Sequence, residues 1–454
     1  MPQLTAVILA AGKGTRMKSE LPKVLHRLAG VTLIDHVLAK VEKLGAEQVL
    51  TVVGHGREAV AKHIEGRSEI VVQEPQLGTG HALMQIVPYL RKDCTVMVLS
   101  GDQPLLTVNT LQNMLDLHRK SQAAATVLTA LLDNPYGYGR IIKRDGRFEG
   151  IVEEKDANSE QKQIKEINTG TYCFEAGSLK NALQRITPEN AQREYYLTDV
   201  FNILLRSGHK IETYCLEDFY EAYGINNRVQ LAEAEDIFYD RVRKHWMLEG
   251  VTIKNPSSVF IDAQAVLASD VIIEPFTIIK GRTVIQEGAV IGPYTTLEDC
   301  VCGKGCRIEN SVARQAVIGE ACQIGPYAYL RPGTTLANGV KIGDFVEIKN
   351  SKIDEGSKVP HLSYIGDSIL GKKVNIGAGT ITCNYDGEKK HMTVIGDNCF
   401  VGSNTNFVAP VQIGQNAVIG AGSTITKNVP DGALAVERSE QKIIENWHAT
   451  RKKN

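Results

Sequence analysis

Apolar residues recur at every sixth position through the second half of the chain, often with a glycine directly after them. The longest runs lead from Ile261 to Leu297, from Ile318 to Ile348 and from Ile395 to Ile425. A period of six does not fit an amphipathic helix, but it is typical of coils of three short parallel strands whose apolar corners stack inside a triangular prism. The pattern therefore predicts a hexapeptide-repeat β-helix of roughly ten coils over residues 251–436.

The repeat is interrupted between Ile376 and Ile395 by a polar, turn-rich stretch that runs from Cys383 to His391. Such a break predicts a loop that leaves the prism. Insertions in solenoid proteins usually serve binding faces, so this loop is a candidate functional element.

The first half of the chain has a different pattern, in which short β-rich runs alternate with helical stretches. The predicted strands cover residues 6–9, 48–53, 70–72, 95–99 and 124–128, and two predicted helices cover 33–44 and 108–120. This alternation is typical of βαβ units and predicts a Rossmann-like α/β domain with a mostly parallel sheet over residues 1–227. Apolar spacings of three and four predict a linker helix over 228–250, and the loss of periodicity predicts a solvated C-terminal tail over 437–454.

Composition narrows the class of protein without identifying it. The 454 residues are enough for two or three domains, and 51 Lys and Arg against 52 Asp and Glu give a formal net charge of −1. This balance argues against a nucleic-acid partner or an anionic membrane surface. Nine scattered cysteines do not form the dense framework of a secreted domain, which favours a cytoplasmic setting. The apolar start of the chain is too short to span a bilayer.

A glycine loop with basic residues follows the first predicted strand. Gly12 and Gly14 allow backbone N–H groups to turn towards an anion, and Arg16 and Lys23 add positive charge nearby. The string lacks the Gly-Lys-Ser/Thr end of a P-loop, and Met17 stands where the dinucleotide fingerprint has its third glycine. The two glycines alone would indicate only a turn after a buried strand, but the full string predicts a phosphate-binding loop of another kind.

The glycine loop is the first of several blocks that resemble one known family. The blocks are Leu9 to Met17, Leu21 to Leu25, Gln73 to Ala82, Gly101 to Leu105, Tyr136 to Ile141, Ile151 to Asp156, Glu166 to Gly170 and Gly224 to Arg228. Together they resemble the bifunctional bacterial enzymes that combine N-acetylglucosamine-1-phosphate uridyltransferase with glucosamine-1-phosphate acetyltransferase, and the resemblance covers nearly the whole chain. It implies a left-handed parallel β-helix for the second half, in agreement with the period of six.

The resemblance also implies a function in UDP-N-acetylglucosamine synthesis, which supplies peptidoglycan and lipopolysaccharide. The substrates would be glucosamine-1-phosphate, acetyl-CoA and UTP, with N-acetylglucosamine-1-phosphate as the intermediate and Mg²⁺ as the cofactor. All of these are small molecules or ions, in agreement with the balanced charge of the chain.

For the first half, the resemblance implies uridyl transfer, an in-line attack on the α-phosphorus of UTP in which pyrophosphate leaves. Arg16 and Lys23 match catalytic residues that hold the leaving pyrophosphate and the reacting phosphates, and Asp102 and Asn226 match the Mg²⁺ ligands. Asp102 also follows a predicted strand, at the edge where ligands of open α/β sheets gather. The other UTP and sugar positions are Leu9, Ala10, Ala11 and Gly12 in the loop, Gln73, Gly78 and Thr79 for the uracil, and Gly139, Glu153 and Asn168 for the sugar.

For the β-helix, the resemblance implies acetyl transfer with His361 as the general base. Glu347 lies near one coil away from His361, and this spacing predicts that its carboxylate orients the ring. The acceptor positions are Arg331, Lys349, Tyr364 and Asn375, and the acetyl-CoA positions are Ala378, Asn384, Tyr385, Ser403, Ala421 and Arg438. The resemblance also implies a homotrimer, in which Lys390 on the inserted loop reaches the site of a neighbouring copy.

Two departures from the family pattern affect local geometry. Arg193 stands where the family usually has glycine, and Val359-Pro360 precedes His361 where the family has Ala-Gly. The first departure leaves open the shape of the loop around Arg193, and the second leaves open the approach of the backbone to His361.

Other interpretations remain open at the level of sequence. Cys300, Cys302 and Cys306 invite a zinc interpretation but fit no standard spacing, and small positions of the repeat account for them better. One functional alternative is a nucleotidyltransferase of single activity with a purely structural β-helix. Another is a regulatory scaffold that keeps its ligand pockets, and such a protein would be expected to lack either the metal ligands or the basic loop.

Overall fold

The strand that precedes the glycine loop lies at the centre of a nine-stranded sheet. This strand, Leu4–Ala10, pairs in parallel with Gln48–Val53 on one side and with Thr95–Ser100 on the other. Its unbroken apolar sequence suits this place, because a strand covered on both faces has no polar side to present to water. The computed structural model describes residues 3–91 and 93–450, so the last four residues of the predicted tail lie outside the described residues.

Eleven strands and seven α-helices, numbered in chain order, make up the described first half and the helix that follows it. The strands are β1 Leu4–Ala10, β2 Arg27–Leu28, β3 Val31–Thr32, β4 Gln48–Val53, β5 Glu69–Val72, β6 Thr95–Ser100, β7 Ala125–Leu131, β8 Arg140–Arg144, β9 Arg147–Val152, β10 Glu166–Glu175 and β11 Ile211–Leu216. The α-helices are α1 Leu33–Lys43, α2 Arg57–His63, α3 Thr79–Ile86, α4 Val108–Ser121, α5 Ala176–Leu183, α6 Asp199–Arg206 and α7 Arg228–Leu248. Short 3₁₀ helices cover Thr15–Met17, Lys23–Leu25, Val87–Tyr89, Gln161–Gln163 and Phe219–Ala222.

The sheet is parallel around the glycine loop and antiparallel further along. Its order is β11-β7-β10-β6-β1-β4-β5, and the hairpin of β8 and β9 pairs with β10. The five predicted strands and both predicted helices are present with small shifts at their ends, so the Rossmann-like prediction is confirmed. Strand β10 differs, because it runs antiparallel to both β6 and β7. It enters from the β8–β9 hairpin and not through a helical crossover, which a parallel connection requires.

Two loops of the sheet emerge at the same edge because β1 and β6 are parallel neighbours, with Leu9 opposite Ser100. The glycine loop follows β1, and Asp102 follows β6. Gly14 has a φ of 60°, and a Cβ at this position would lie 2.9 Å from the Cβ of Lys23. Glycine is therefore needed there both for the left-handed backbone and for the close approach of Lys23.

Helix α7 contributes to both halves of the chain. Near its start Ala234 is fully buried, and Phe238 packs edge-on against His36 with ring centroids 5.0 Å apart. Near its end Val242 and Trp246 pack against the core of the second half, and Arg243 Nη1 donates to the carbonyl of Val259 at 3.2 Å. The boundary between the two compact units of the chain falls inside this helix, between residues 238 and 239. No helix in the described ranges is long and apolar enough to cross a membrane.

The second half is a left-handed parallel β-helix of three sheets, which we name prism sheets A, B and C. Sheet A contains Thr252–Ile253, Ile272–Ile273, Val290–Ile291, Arg307–Ile308, Gln323–Ile324, Lys341–Asp344, Lys358–His361, Asn375–Ile376, Phe400–Val401, Val418–Ile419 and Leu434–Ala435. Sheet B contains Phe260–Ile261, Ile278–Lys280, Thr296–Glu298, Val312–Arg314, Tyr329–Leu330, Glu347–Lys349, Tyr364–Gly366, Ile381–Cys383, Asn406–Val408 and Thr424–Ile425. Sheet C contains Val266–Leu267, Val284–Ile285, Val301–Cys302, Val317–Ile318, Thr335–Leu336, Lys352–Ile353, Ser368–Leu370, Thr393–Ile395 and Val411–Ile413. The 3₁₀ helix Pro256–Ser258 lies between the first strands, and a short α-helix, Trp447–Thr450, follows the last.

The sixth-position residues form the core of this prism. In sheet B, for example, Ile261 lies beneath Ile279 and Ile279 beneath Leu297, and all three are fully buried. Every residue of the three predicted runs is buried, so the β-helix prediction is confirmed. Cys300, Cys302 and Cys306 are buried inside the prism as well. In-register stacking explains the period, since each turn of the coil returns an apolar side chain to the same corner.

The predicted loop leaves the prism between Ile381–Cys383 and Thr393–Ile395. Tyr385 and Lys390 pair in an antiparallel bridge, so the loop is a small hairpin whose residues are exposed. Asn375 on the strand below still pairs with Phe400 on the strand above, because the added residues bulge outwards without breaking the ladder.

We predict that residues 1–250 and residues 228–454 each fold when expressed alone. Each fragment keeps the whole of α7, which buries residues in both units. A fragment of residues 1–227 should melt at a temperature lower by about 5 °C or more than residues 1–250, because burial worth roughly 2 kcal/mol is lost. Circular dichroism melting curves would measure this. Failure of residues 228–454 to fold would contradict independent units.

Candidate active sites

A cavity of about 470 Å³ opens at the edge of the sheet where β1 and β6 end. Its walls are Leu9, Ala10, Ala11, Gly12, Lys13, Pro22, Lys23, Val24, Gln73, Gln76, Gly78, Thr79, Ala82, Ser100, Asp102 and Glu194. The structure thus brings together the predicted loop residues, the predicted uracil residues and Asp102. Pro22, Gln76, Ser100 and Glu194 line the same cavity and were missed at the level of sequence, because single polar or proline residues in loops carry no distinctive pattern.

Two cationic side chains meet two oxygen atoms beside this cavity. Lys23 Nζ donates to Asp102 Oδ2 and, at 3.1 Å, to Asn226 Oδ1. Arg16 Nη2 donates to the same Asn226 oxygen at 2.9 Å. The backbone N–H of Ile225 donates to the carbonyl of Asp102 at 3.0 Å and so holds the two segments together. The four residues predicted from different parts of the chain therefore converge at one point.

The oxygen atoms of Asp102 and Asn226 suit a divalent cation. They already surround a positive ammonium group, which shows that this point favours a cation. Among the described residues no group of three or more His, Cys, Asp and Glu side chains could hold a metal. Mg²⁺ does not need such a cage, since it is commonly bound by one or two protein oxygens together with substrate phosphates and water.

The predicted uracil residues are held by the loop that contains residues 190–196. Gln73 Nε2 donates to the carbonyl of Gly78 at 2.9 Å, and Gly78 has a φ of 106°. A Cβ on Gly78 would lie 2.7 Å from the carbonyl oxygen of Tyr195, so only glycine fits there. The backbone of Tyr195 also accepts from Gly80 N at 2.8 Å, which fixes the start of α3 against this loop.

Arg193 lies in the same loop and has a φ of 55°. This is the left-handed region that glycine favours, so the arginine keeps the backbone shape expected of a glycine. Its N–H donates to the carbonyl of Asn190 at 3.1 Å. The departure from the family pattern therefore costs about 1 kcal/mol of local backbone strain and leaves the turn in place.

The predicted sugar residues form a second cluster in the first unit. The N–H of Asn168 donates to the carbonyl of Gly139 at 2.9 Å, and a Cβ on Gly139 would lie 3.4 Å from Glu153 Oε2. Thr198 Oγ1 donates to Glu153 Oε1 at 3.0 Å. Burial raises the pKa of Glu153 above the usual value, and the hydrogen bond from Thr198 only partly offsets this effect.

On the prism, the polar residues gather around Asp367. Its carboxylate accepts from Lys349 Nζ at 3.3 Å, from Asn350 Nδ2 at 2.6 Å and from Asn384 Nδ2, and Asn384 also contacts Tyr364 Oη at 3.4 Å. Burial alone would raise the pKa of Asp367, but these donors outweigh it and lower the pKa below its usual range. The cluster therefore joins two predicted acceptor residues, Lys349 and Tyr364, to one predicted acetyl-CoA residue.

His361 is oriented by Asp344, and the prediction that Glu347 has this role is wrong. Asp344 Oδ1 lies 2.5 Å from His361 Nδ1. Both residues are on prism sheet A, where the register places Asp344 opposite His361. Glu347 is on sheet B and accepts from Arg331 Nη1 at 2.8 Å instead. The hydrogen bond from His361 lowers the pKa of Asp344, so this carboxylate stays ionised beside the ring.

The Val359-Pro360 pair does not disturb the strand that ends at His361. Val359 is fully buried at an apolar corner of the prism, and Lys358–His361 is a continuous strand. A Cβ on Gly343 would lie 1.9 Å from the carbonyl oxygen of Pro360, so the coil below has a glycine where Pro360 approaches. His361 is therefore placed by the register of the sheet.

Lys390 and Asn375 occupy different places relative to this cluster. Lys390 lies beside Lys349 of its own chain, and the Lys349 ammonium lowers the pKa of Lys390. That Lys390 also serves the site of a neighbouring copy stays a prediction. Asn375 lies on prism sheet A, opposite Lys358, and in the described part of the chain it has no hydrogen bond to the Asp367 cluster.

Three of the predicted acetyl-CoA residues, Ala378, Ser403 and Ala421, form a column at one corner of the prism. The N–H of Asn404 donates to the carbonyl of Ala378 at 2.7 Å, and Gly422 N donates to the carbonyl of Ser403 at 2.8 Å. These bonds stack the Ala378, Ser403 and Ala421 positions of successive coils. Arg438 lies at the next level, with its Cδ 3.9 Å from a Cβ placed on Gly422. Tyr385 is exposed at the start of the inserted hairpin.

Asp344 and Asp367 are functional candidates that the sequence did not single out. Asp367 closes the block that begins at His361, and Asp344 lies about one coil before the histidine. Glu347 also lies near one coil from His361, so spacing alone cannot choose between the two carboxylates without the register.

Comparison with known proteins agrees with both halves. The MobA-like NTP transferase domain family matches residues 6–144, and the GMPPB C-terminal domain family matches residues 312–410. The chain is 58% identical over 453 residues to the bifunctional protein GlmU of Desulfitobacterium hafniense (strain DSM 10664 / DCB-2), with 100% of both chains covered. It is 57% identical to the bifunctional protein GlmU of Heliobacterium modesticaldum (strain ATCC 51547 / Ice1), with 98% of both chains covered.

These similarities and the two separate sites place the chain in the class of transferases that unite a nucleotidyltransferase domain with a β-helical acetyltransferase domain. The identities extend over the whole length of the relatives. The chain belongs to the bifunctional GlmU family, the enzymes of UDP-N-acetylglucosamine synthesis. The family resemblance carried by the sequence blocks is thereby confirmed.

We predict that Glu153→Gln stabilises the first unit at neutral pH. Because the pKa of Glu153 is raised in the folded state, the protein loses stability as the pH rises and Glu153 ionises. Glutamine cannot ionise, so it removes this loss, and its side-chain oxygen still accepts the hydrogen bond from Thr198. The melting temperature of the variant should exceed that of the parent at pH 8, and the difference should shrink towards pH 4. Calorimetry across this pH range measures it, with Glu149→Gln, an exposed position on β9, as the control. A constant difference at all pH values would contradict the prediction.

Proposed function

We propose that the two sites act in sequence, with acetylation of glucosamine-1-phosphate on the prism followed by Mg²⁺-dependent uridyl transfer to N-acetylglucosamine-1-phosphate at the glycine-loop cavity. The observation that carries this proposal is the convergence of Lys23 and Arg16 on Asp102 and Asn226 beside the cavity. The two positive side chains suit a triphosphate, and the two oxygen atoms suit a cation. The order follows from chemistry, because the free amine must be acetylated before the acetylated sugar can be recognised.

For uridyl transfer, the backbone of Leu9 to Gly12 forms the wall against which the UTP phosphates bind. Arg16 neutralises the leaving pyrophosphate, and Lys23 moves from Asp102 to the reacting phosphates. Asp102 and Asn226 would hold Mg²⁺, and a bound Mg²⁺ would neutralise part of the phosphate charge. With these groups in place the enzyme mainly positions the reactants, since phosphoryl chemistry needs little covalent help.

Specificity for the two substrates comes from the uracil cluster and the sugar cluster. Gln73, Gly78 and Thr79 offer amide and backbone groups to the uracil, which needs both donors and acceptors. On the sugar side, Gly139, Glu153 and Asn168 offer a carboxylate and an amide to the hydroxyl and acetamido groups. Support comes from Gln73 and Gly78, which share a hydrogen bond in the cavity wall, and from the contact of Gly139 with Asn168.

For acetyl transfer, Arg331 and Lys349 bind the sugar phosphate, and Tyr364 and Asn375 bind the sugar. Acetyl-CoA lies along the column of Ala378, Ser403 and Ala421, with Asn384, Tyr385 and Arg438 at its ends. His361 takes the proton that the attacking amine releases, and Asp344 holds the ring with Nε2 free for this task. Support comes from the His361–Asp344 contact and from the hydrogen bonds that stack the Ala378, Ser403 and Ala421 positions of successive coils.

We further propose a homotrimer that works in the cytoplasm. Support for association comes from prism sheet C, whose outward positions Val266, Val301, Val317 and Ile369 are apolar and between 39% and 51% exposed. Exposed apolar residues on one face favour burial against another surface, although Thr335 and Lys352 stand between Val317 and Ile369. All nine cysteines are free thiols, which suits a reducing compartment.

The proposed function is tested by product analysis. Glucosamine-1-phosphate, acetyl-CoA, UTP and Mg²⁺ are supplied together and then with each reagent omitted, and mass spectrometry identifies the products. We expect UDP-N-acetylglucosamine only in the complete mixture and N-acetylglucosamine-1-phosphate when UTP or Mg²⁺ is omitted. Uridyl transfer without any consumption of acetyl-CoA would favour a single-activity nucleotidyltransferase.

We predict that Asp102→Ala lowers the rate of uridyl transfer by about 10³-fold or more, because the phosphates then face each other without a bound cation. Acetyl-CoA consumption should continue at the parent rate. Pyrophosphate release measures the first activity and thiol release measures the second. Asp116→Ala, at an exposed position of α4, serves as the control and should change neither rate. A near-normal uridyl transfer rate in Asp102→Ala would rule out this ligand.

We predict that His361→Ala lowers the acetyl transfer rate at saturating substrates by about 10²- to 10⁴-fold, because the attacking amine then lacks a base. The limb at acidic pH that reports protonation of this base should also disappear from the rate profile. Asp344→Asn should give a smaller loss of about tenfold or more, since the ring keeps its place but loses the charged partner.

The internal control for these variants is uridyl transfer from preformed N-acetylglucosamine-1-phosphate, which both should perform at the parent rate. An alanine variant that acetylates as fast as the parent would show that another group is the base. If Glu347→Gln lost as much acetyl transfer activity as His361→Ala while Asp344→Asn lost none, the role of orienting the ring would belong to Glu347.

A further inference from the structure

Gln103, directly after Asp102, has a buried side-chain amide whose hydrogen-bonding groups are all used. Its Nε2 donates to the carbonyl of Thr169 at 2.6 Å and to the carbonyl of Ala222 at 3.1 Å. Its Oε1 accepts from Thr171 Oγ1 at 3.2 Å. The residue is only 5% exposed, so water does not compete for these bonds. A primary amide has two N–H donors, and both are committed here to main-chain oxygens.

The partners of this amide lead to two other parts of the uridyl-transfer site. Thr169 directly follows Asn168, at the point where the register of β10 against β7 shifts. The irregular backbone there is held further by Gly170 N, which donates to Asn168 Oδ1 at 3.1 Å. A shift in strand register leaves main-chain groups without ladder partners, and the side chain of Gln103 supplies one.

The second partner, Ala222, ends the 3₁₀ helix Phe219–Ala222 and precedes the segment that carries Asn226. In this segment Ile225 N donates to the carbonyl of Asp102. The loop after β6 therefore holds the Asn226 segment at two points, through the main chain of Asp102 and through the side chain of Gln103. Asp102 and Asn226 are far apart in the sequence. The two hydrogen bonds hold their segments together, so that the side-chain oxygens of both residues reach the ammonium group of Lys23.

We propose that Gln103 is a positioning residue for uridyl transfer, which sets the separation between the metal-binding oxygens of Asp102 and Asn226 and the place of Asn168. The proposal rests on the proposed function of these three residues. Without the amide, the carbonyls of Thr169 and Ala222 would be buried without partners, and the two segments would move to regain hydrogen bonds. The cation site and the sugar site would then both lose their geometry, while the uracil side of the cavity would keep it.

Gln48 provides a matched control within the same unit. It is 8% exposed, its Nε2 donates to the carbonyl of Tyr89 at 3.1 Å and to Glu69 Oε1 at 3.2 Å, and its Oε1 accepts from Thr5 Oγ1 at 3.3 Å. It stands at the first residue of β4, at the opposite end of the strand from the cavity. The loss of either amide disturbs a buried network of the same kind, but of the two only Gln103 bonds to segments that carry predicted site residues.

The experiment compares Gln103→Leu and Gln48→Leu in the full chain. Steady-state uridyl transfer gives kcat, the KM values for UTP and for N-acetylglucosamine-1-phosphate, and the Mg²⁺ concentration for half-maximal rate. Electron paramagnetic resonance gives the affinity of the enzyme for Mn²⁺ in the presence of UTP and without the acceptor. Melting curves and acetyl-CoA consumption are measured in parallel.

We expect Gln103→Leu to raise the half-maximal Mg²⁺ concentration and the KM for the sugar phosphate by about tenfold or more, and to lower kcat by up to about 10²-fold. Mn²⁺ affinity should fall in parallel, while the KM for UTP stays within about threefold of the parent value because the uracil residues are not moved. Gln48→Leu should lower the melting temperature by a similar amount and leave all of these values near those of the parent. Acetyl transfer should be unchanged in both variants.

Thr171→Val keeps the experiment decisive if Gln103→Leu does not fold. It removes only the hydroxyl that orients the amide, and it should shift the same values in the same direction by a smaller factor. Parent-like Mg²⁺ dependence in folded Gln103→Leu, or the same kinetic changes in Gln48→Leu, would overturn the positioning role. A parent enzyme without uridyl transfer would instead refute the proposed function itself, so the two failures are distinguishable.

Discussion

Parallel strand pairing in register is the constraint on which both halves of this protein depend. In the first half it makes β1 and β6 end at the same edge, so that the glycine loop and Asp102 meet although some ninety residues separate them. In the second half it turns the coil into columns, so that residues one coil apart become neighbours. Asp344 and His361 are such neighbours, and so are the Ala378, Ser403 and Ala421 positions. Each site is thus made by the alignment of strand ends and coil corners.

Charge is balanced locally at both sites, and this balance explains why the residues stay in place before any ligand arrives. Lys23 is held between Asp102 and Asn226, and Asp367 is held by one ammonium and two amides. A partly buried charge without such partners would be costly. The same contacts also allow a ligand to bind. A bound cation takes the place of an ammonium group beside a carboxylate, or a bound phosphate takes the place of a carboxylate beside an ammonium group, at little net cost in electrostatic energy. Gln103 differs from these residues, since a neutral amide fixes main-chain segments and has no charge to exchange.

Glycine and left-handed backbone positions set the close approaches within the first site. Gly14 brings the loop against Lys23, and Gly78 allows the loop around Tyr195 to reach the cavity wall. Arg193 shows that the constraint lies in the backbone conformation, because the arginine adopts the φ of a glycine and the turn persists. The strain is small compared with the hydrogen bonds that the loop makes, so the site tolerates the substitution.

The sequence by itself determined the elements and the chemistry of this protein. The period of six required the prism, because no other regular structure stacks an apolar residue from every sixth position. The motif blocks identified the family, and the predicted site residues include more than half of those that line the cavity. Only the tertiary structure decided which of these residues are partners. The coils vary slightly in length, so spacing alone could not choose Asp344 over Glu347 for His361, and the register of the sheet did. The antiparallel course of β10, the three bonds of Gln103 and the place of Lys390 beside Lys349 were likewise beyond the sequence. Periodicity records whether a residue is buried, whereas a hydrogen bond between distant residues depends on how two segments are placed in space, and no local pattern carries that information.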